Sequence, residues 1–101
     1  MAKTDILVVG THPEILQTIL RLINANEQWQ GTGALNVQQA VAEFKLCEYK
    51  LVLLGAGLTD EAEDHLCDIL RALKPHITIV KHYGGGSGLL FAEIQGALGK
   101  L

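Results

Sequence analysis

Two four-residue apolar runs, Ile6-Leu7-Val8-Val9 and Leu51-Val52-Leu53-Leu54, each stop at a glycine, Gly10 and Gly55. Uninterrupted apolar runs of this length suit strands covered on both faces, as in a parallel sheet. Parallel neighbours cannot be joined by a tight hairpin, so each needs a crossover, usually a helix. The intervening sequence supplies these crossovers. After Val9, Ile15, Leu16, Ile19, Leu20 and Ile23 fall on one helical stripe ending near Asn24. Thr11 is read as the N-cap, with Glu14 completing a capping box and Pro13 in the first turn, where it loses no hydrogen bond.

Residues 28–35 predict a short second strand anchored by Trp29 and Leu35. Gly31 and Gly33 interrupt it, which suits an edge position. Asn36 is the expected cap of a second helix whose buried stripe is Val37, Ala40, Val41, Phe44 and Cys47. The third strand covers residues 50–54. Thr59 caps a helix over residues 59–73, with Leu66, Ile69, Leu70 and Leu73 toward the core and Lys74-Pro75 ending it. A fourth strand follows at residues 77–80, then a last helix from about residue 89 to 98, weakened by Gly96. The order βαβαβαβα predicts one α/β domain over residues 1–101, a three-layer open parallel sheet of about four strands with right-handed crossovers.

Composition narrows the function. The chain is 49% apolar but only 5% aromatic, so its core is mostly Leu, Ile, Val and Ala. The net charge is -3 and no run of Lys or Arg occurs, which argues against a nucleic-acid partner. No apolar stretch is long enough for a membrane helix, and the N-terminus lacks a signal-peptide layout; a cytoplasmic location is expected. Cys47 and Cys67 both fall within predicted helices without metal-ligand spacing, so they are read as reduced, buried or half-buried thiols.

Chemistry in open α/β sheets is usually placed at the carboxyl ends of the strands. Here those ends read Gly10-Thr11-His12-Pro13 and Gly55-Ala56-Gly57, with no acid. The sharpest local signal is Lys81-His82-Tyr83-Gly84-Gly85-Gly86-Ser87-Gly88, between strand and helix. Two readings stand for it. Backbone amides of Gly84, Gly85, Gly86, Ser87 and Gly88 cradle an anion, with charge from Lys81 and His82; or the segment is a tight turn in which Ser87 caps the helix. It is neither a P-loop nor a GxGxxG fingerprint. His12 is expected near His82, but two histidines without an acid or thiol make a poor metal set. Ser87 and His82 lack an orienting acid, so no catalytic residue, metal or cofactor is assigned. His65 and His76 read as a helix-surface residue and a residue at the start of a strand. Asp60, Glu61, Glu63, Asp64 and Asp68 form an acidic cluster, explained by capping and solubility or by a basic partner.

Over residues 4–55 the chain resembles the receiver domain of two-component response regulators. The stretch Asp5-Ile-Leu-Val-Val-Gly-Thr-His-Pro-Glu-Ile-Leu16 is similar to the family's opening strand and helix. Trp29 through Ala40, with Gly33-Ala34 and Asn36-Val-Gln-Gln-Ala40, looks like its second strand and next helix start. Tyr49-Lys50-Leu-Val-Leu-Leu-Gly55 is similar to the strand that delivers the phosphoacceptor. The resemblance implies a flavodoxin-like fold and a role in signalling. It also exposes departures. Where receivers carry paired acids for Mg²⁺, this chain has Gly10 and Thr11, and where they carry the phosphorylated aspartate it has Gly55. Lys81 matches the family's invariant lysine, but His82 replaces the proline that follows it. Between Gly55 and Lys81 there is room for one helix and one strand, whereas receivers usually have two of each there.

The expected function is therefore a receiver-like protein-interaction module that is not phosphorylated and is not an enzyme. Its partner is a protein, a second copy of the chain included, met through apolar surface that the short sheet leaves. The alternative is a small anion or nucleotide-binding domain using residues 84–88.

Overall fold

The computed structural model describes residues 3–55, 57–81 and 86–99, and for residues 86–89 the backbone alone. Four strands, β1 (Thr4–Val9), β2 (Trp29–Ala34), β3 (Leu51–Leu54) and β4 (Thr78–Lys81), alternate with four helices, α1 (Pro13–Asn24), α2 (Val37–Leu46), α3 (Asp60–Leu73) and α4 (Gly86–Leu98). The sheet is wholly parallel in the order β2-β1-β3-β4. The expected (βα)4 architecture, with β2 at an edge, is the one observed.

Alternation along the strands divides the core into two halves. Leu7, Val9, Val52 and Leu54 point to the face covered by α2 and α3, where they meet Phe44, Tyr49, Leu66 and Leu70. Ile6, Val8, Leu51 and Leu53 point to the opposite face, with Leu16, Ile19 and Ile23 of α1 and Leu90, Ile94 and Ala97 of α4. Residues 6–9 of β1 and all of β3 are fully buried, which accounts for their unbroken apolar sequence. The fourth helix thus covers the same face as α1.

Gly31 and Gly33 are demanded by packing. A Cβ at Gly33 would stand 2.8 Å from Leu20 Cδ1 and 3.1 Å from Leu16 Cδ2, and one at Gly31 would lie 3.1 Å from Ile23 Cγ2. The glycines let α1 settle directly on β2. Asn24 Oδ1 then accepts a hydrogen bond from the Gly31 N–H at 2.9 Å.

Two of the three expected caps form. Asn36 Oδ1 accepts from the Gln39 N–H at 2.8 Å, and Gln39 Oε1 accepts from the Leu35 N–H at 2.9 Å. Thr59 Oγ1 accepts from the Ala62 N–H at 3.1 Å. Thr11 is not a cap. Pro13 occupies the first helical position, and the residue before a proline is pushed out of the helical region. His12 is therefore the N-cap, extended at φ -100 and ψ 107, and its side chain makes no capping bond.

Further expectations need correction. The last helix begins at Gly86 rather than near residue 89, so Ser87 lies in its first turn instead of capping it. Packing of Leu90, Ile94 and Ala97 on the sheet carries the helix back through residues of weak propensity. Cys47 follows α2 as its C-cap and is exposed, whereas Cys67 is buried. Ile15 and Leu73 sit at the margins of their stripes and are about half exposed. Leu73 joins the exposed Leu46 in lining a groove of about 480 Å³ between the C-terminal ends of α2 and α3. No helix among the described residues is long and apolar enough to cross a membrane.

Candidate functional site at the carboxyl ends of the strands

The strand order reverses between β1 and β3, so their carboxyl ends mark the crevice where this kind of sheet usually binds ligands. The backbone there is already committed. The Gly10 N–H donates to Ala34 O at 3.0 Å, and the Gly55 N–H donates to Val9 O at 2.7 Å. Neither amide is left to hold an anion.

Gly57 stands at the margin of the crevice. It holds φ +104, a region that favours glycine, and Thr11 Oγ1 stands where a Cβ would project. The His12 ring carbon Cδ2 and nitrogen Nε2 lie 3.1 Å from the same point. Displacement of Thr11 from the capping position thus has a structural counterpart: its hydroxyl is placed over the glycine turn after β3. His12 is exposed beside a shallow groove of about 350 Å³ that it lines with Pro13, Glu14 and Ile15.

The charged part of this rim lies one strand further on. Lys81 ends β4, and its Nζ is 3.5 Å from Oε1 of Glu63. Glu63 is almost fully buried, while the Lys81 side chain is half exposed. Glu63 is therefore not a solvated capping acid of the cluster, as expected from the sequence, but a buried partner of Lys81. The signal was present: Glu63, Leu66, Cys67 and Leu70 recur at helical spacing, which puts Glu63 on the buried stripe of α3. Asp60, Glu61, Asp64 and Asp68 remain exposed, as does His65. Burial pushes the Cys67 thiol above its ordinary 9.0, with the nearby Glu63 and Asp64 charges acting in the same direction and Arg71 and Lys81 opposing it. That shift disfavours the thiolate, so Cys67 is poorly suited to nucleophilic chemistry.

Of the proposed loop site, Lys81 is placed as above, and His82, Gly84 and Gly85 lie outside the described residues. Gly86, Ser87 and Gly88 open α4 as helical backbone. The expected approach of His12 to His82 also falls outside them. Among the described residues no group of three or more His, Cys, Asp or Glu side chains is arranged to hold a metal ion.

Neither a comparison with protein-family models nor one with curated protein sequences finds a match. Solved structures do match. The chemotaxis protein CheY4 of Vibrio cholerae superposes with a TM-score of 0.86 at 11% identity, covering 96% of this chain and 100% of that one. A response regulator receiver domain of Clostridium thermocellum gives 0.82 at 13% identity, over 96% and 95% of the two chains. The signal receiver domain of an HD domain-containing protein of Pseudomonas fluorescens Pf-5 gives 0.71 at 21% identity, over 97% and 78%. The chain therefore has the fold of CheY-like receiver domains, in a four-stranded (βα)4 form of the flavodoxin-like sheet.

Proposed function

We propose that this chain is a receiver-like protein-interaction module of a signalling system, one that acts by binding and takes no phosphoryl group. The observation that carries the reading is the make-up of the β1 and β3 ends. Phosphoryl transfer to a receiver needs a carboxylate nucleophile and hard oxygen ligands for Mg²⁺. The positions resembling those of the family hold Gly10, Thr11 and Gly55, and Gly57 packs under Thr11 and His12. Lys81, at the position resembling the family's invariant lysine, lies against Glu63 of α3. With no nucleophile assigned, the reading is of a non-enzymatic, cytoplasmic protein whose partners are proteins.

An amide NMR titration of the ¹⁵N-labelled chain with Mg²⁺ and beryllofluoride tests it. The expected result is no saturable shift at Gly10, Thr11, Gly55 or Lys81. Saturable shifts there would overturn the reading. A second reading has one observation in its favour. Because α4 starts at Gly86, the first-turn N–H groups of Gly86, Ser87 and Gly88 have no partners within the helix. An anion or nucleotide held by Lys81, His82 and residues 84–88 would use them. Inorganic phosphate and a nucleotide panel, added without beryllofluoride, would then shift amides from Lys81 to Leu89 alone.

A further inference from the structure

The end of the molecule opposite the strand-end crevice holds the groove between the C-terminal ends of α2 and α3. The buried rings of Phe44 and Tyr49 line it from within, and Leu46 and Leu73 line it from outside, 76% and 47% exposed. Of the three large apolar side chains exposed among the described residues, two therefore meet here.

The backbone beside this groove is open. Three helices close their last turn with a bond from the following N–H: Ala25 to Arg21 O after α1, Lys74 to Leu70 O after α3, and Gly99 to Gln95 O after α4. After α2 the chain turns directly into extended geometry, with Cys47 at φ -135 and ψ 157. Among the described residues, the N–H groups of Cys47 and Glu48 make no backbone hydrogen bond. An extended stretch with unpaired N–H groups is what an added strand pairs with.

Charge selects the occupant. Helices between parallel strands run back along the sheet, so helix C-termini and strand N-termini share this end. Lys3 precedes β1, Lys50 precedes β3, Arg21, Lys45 and Arg71 lie in last turns, and Lys74 follows α3. Six of the eight Lys and Arg residues thus gather at one end of a chain whose net charge is -3. Asp5, Glu27, Glu43 and Glu48 offset them in part, and some of the positive charge serves the helix C-termini. In the groove itself Lys45 and Lys74 stand against Glu48 alone. Lys74 donates one of its three ammonium hydrogens to Tyr49 O at 3.1 Å, which fixes its charge on the groove wall.

We infer that this groove takes an extended, acidic segment of a partner protein, which pairs with the backbone at Cys47 and Glu48 and seats an apolar side chain between Leu46 and Leu73. The inference deepens the interaction-module reading and rests on it. A strand-like ligand answers the three observations together. Its carbonyls meet the unpaired N–H groups, its alternate side chains fall on one face to reach the leucines, and its acids lie near Lys45 and Lys74. A second copy of this chain is a poorer match. Its exposed acids Asp60, Glu61, Asp64 and Asp68 sit on α3, a helix whose backbone is already paired, so they offer no extended segment.

An amide NMR titration of the ¹⁵N-labelled chain tests this with two capped pentapeptides, one alternating glutamate with leucine and the other lysine with leucine. The expected result is saturable shifts at Leu46, Cys47, Glu48 and Leu73 with the glutamate peptide, weakened by salt. The lysine peptide binds about tenfold more weakly or worse. Leu46→Glu, at an exposed position, weakens the glutamate peptide about tenfold, and Lys45→Glu narrows the preference between the two peptides. No saturable shift in the groove at millimolar glutamate peptide overturns the inference. Equal affinities for the two peptides, or indifference to both variants, do the same. Shifts at these residues on raising the protein concentration alone would replace the partner segment by a second copy and so overturn the assigned occupant. Beryllofluoride added to the same samples separates the two claims. Shifts at Gly10 and Gly55 sink the interaction-module reading whatever the peptides do, whereas a silent beryllofluoride titration without peptide binding sinks the groove alone.

Discussion

Strand β2 spends two of its six positions on glycine and alternates them with Gln30 and Thr32, whereas β4 strings together Thr78, Ile79 and Val80. The β2 side is sealed from within: α1 lies on the glycines so closely that a methyl group has no room. The turn after β3 is sealed in the same manner, Gly57 beneath Thr11 and His12. On the β4 side the apolar side chains are larger and their cover is thinner. The contrast teaches where this fold is packed tightly and where it still offers surface. Thr11, His12 and Gly57 crowd together at the crevice between β1 and β3, while β4 and α3 still offer side chains to engage something else.

Adding atoms to the sealed side should give the largest effects. Gly57→Ala combines left-handed strain with overlap at Thr11, for a loss of about 3 kcal/mol of stability. Urea denaturation followed by far-UV circular dichroism measures it, and a loss under about 1 kcal/mol would show that the turn is looser than its contacts imply. Gly33→Val comes next. Its side chain must displace Leu16 and Leu20, and overpacking of this kind costs about 2 kcal/mol, offset in part by the better strand propensity of valine. A neutral outcome would mean that α1 slides on β2, and the sealed side would no longer differ from the open one.

These same positions mark how far the sequence could be read. The unbroken runs of β1 and β3 announced a parallel sheet because burial on both faces leaves no place for polar residues. Asn36 and Thr59 were legible as caps because capping is local chemistry. Thr11 was not, since the constraint that displaced it came from Pro13 acting on His12. Gly31 and Gly33 look like interruptions until α1 is laid on them; nothing local shows that their missing side chains are a packing surface. Of the candidate site, the absence of strand-end acids was plain from the sequence. Glu63 was hidden among four neighbouring acids, and only its phase on the α3 stripe, set by Leu66 and Leu70, separates it from them.

On the open side, substitutions should be milder. Val80→Thr trades a half-buried methyl for a hydroxyl at an edge, worth about 1 kcal/mol or less in the monomer. The midpoint of thermal unfolding measures it, with a drop of a few degrees expected. A loss as large as that of Gly33→Val would remove the distinction between the two edges.

The smallest effect sharpens the comparison from the floor of the α2/α3 half of the core. Tyr49 is fully buried, its ring stacked on Phe44 at 6.2 Å between centroids, and its carbonyl accepts from Lys74 Nζ at 3.1 Å. Burial pushes its phenol above the ordinary 10.0; the charge of Glu43 and the neighbouring Cys47 add to the rise, and a hydrogen bond with Thr32 opposes it. Since the folded state prefers the neutral phenol, the unfolded chain loses this proton first as pH rises. Between the two pKa values the unfolded state binds fewer protons, so stability falls with pH. The contribution is whole below pH 10.0 and is lost as pH climbs through the folded value. Cys67, raised from 9.0, gives a slope of the same sign that begins lower. Tyr49→Phe should therefore leave the early part of the alkaline decline in place and flatten the later part, at a neutral-pH cost of about 1 kcal/mol for the lost hydrogen bond. Thermal midpoints measured from pH 7 upward decide it. An unchanged late slope would mean that the alkaline loss does not enter through Tyr49.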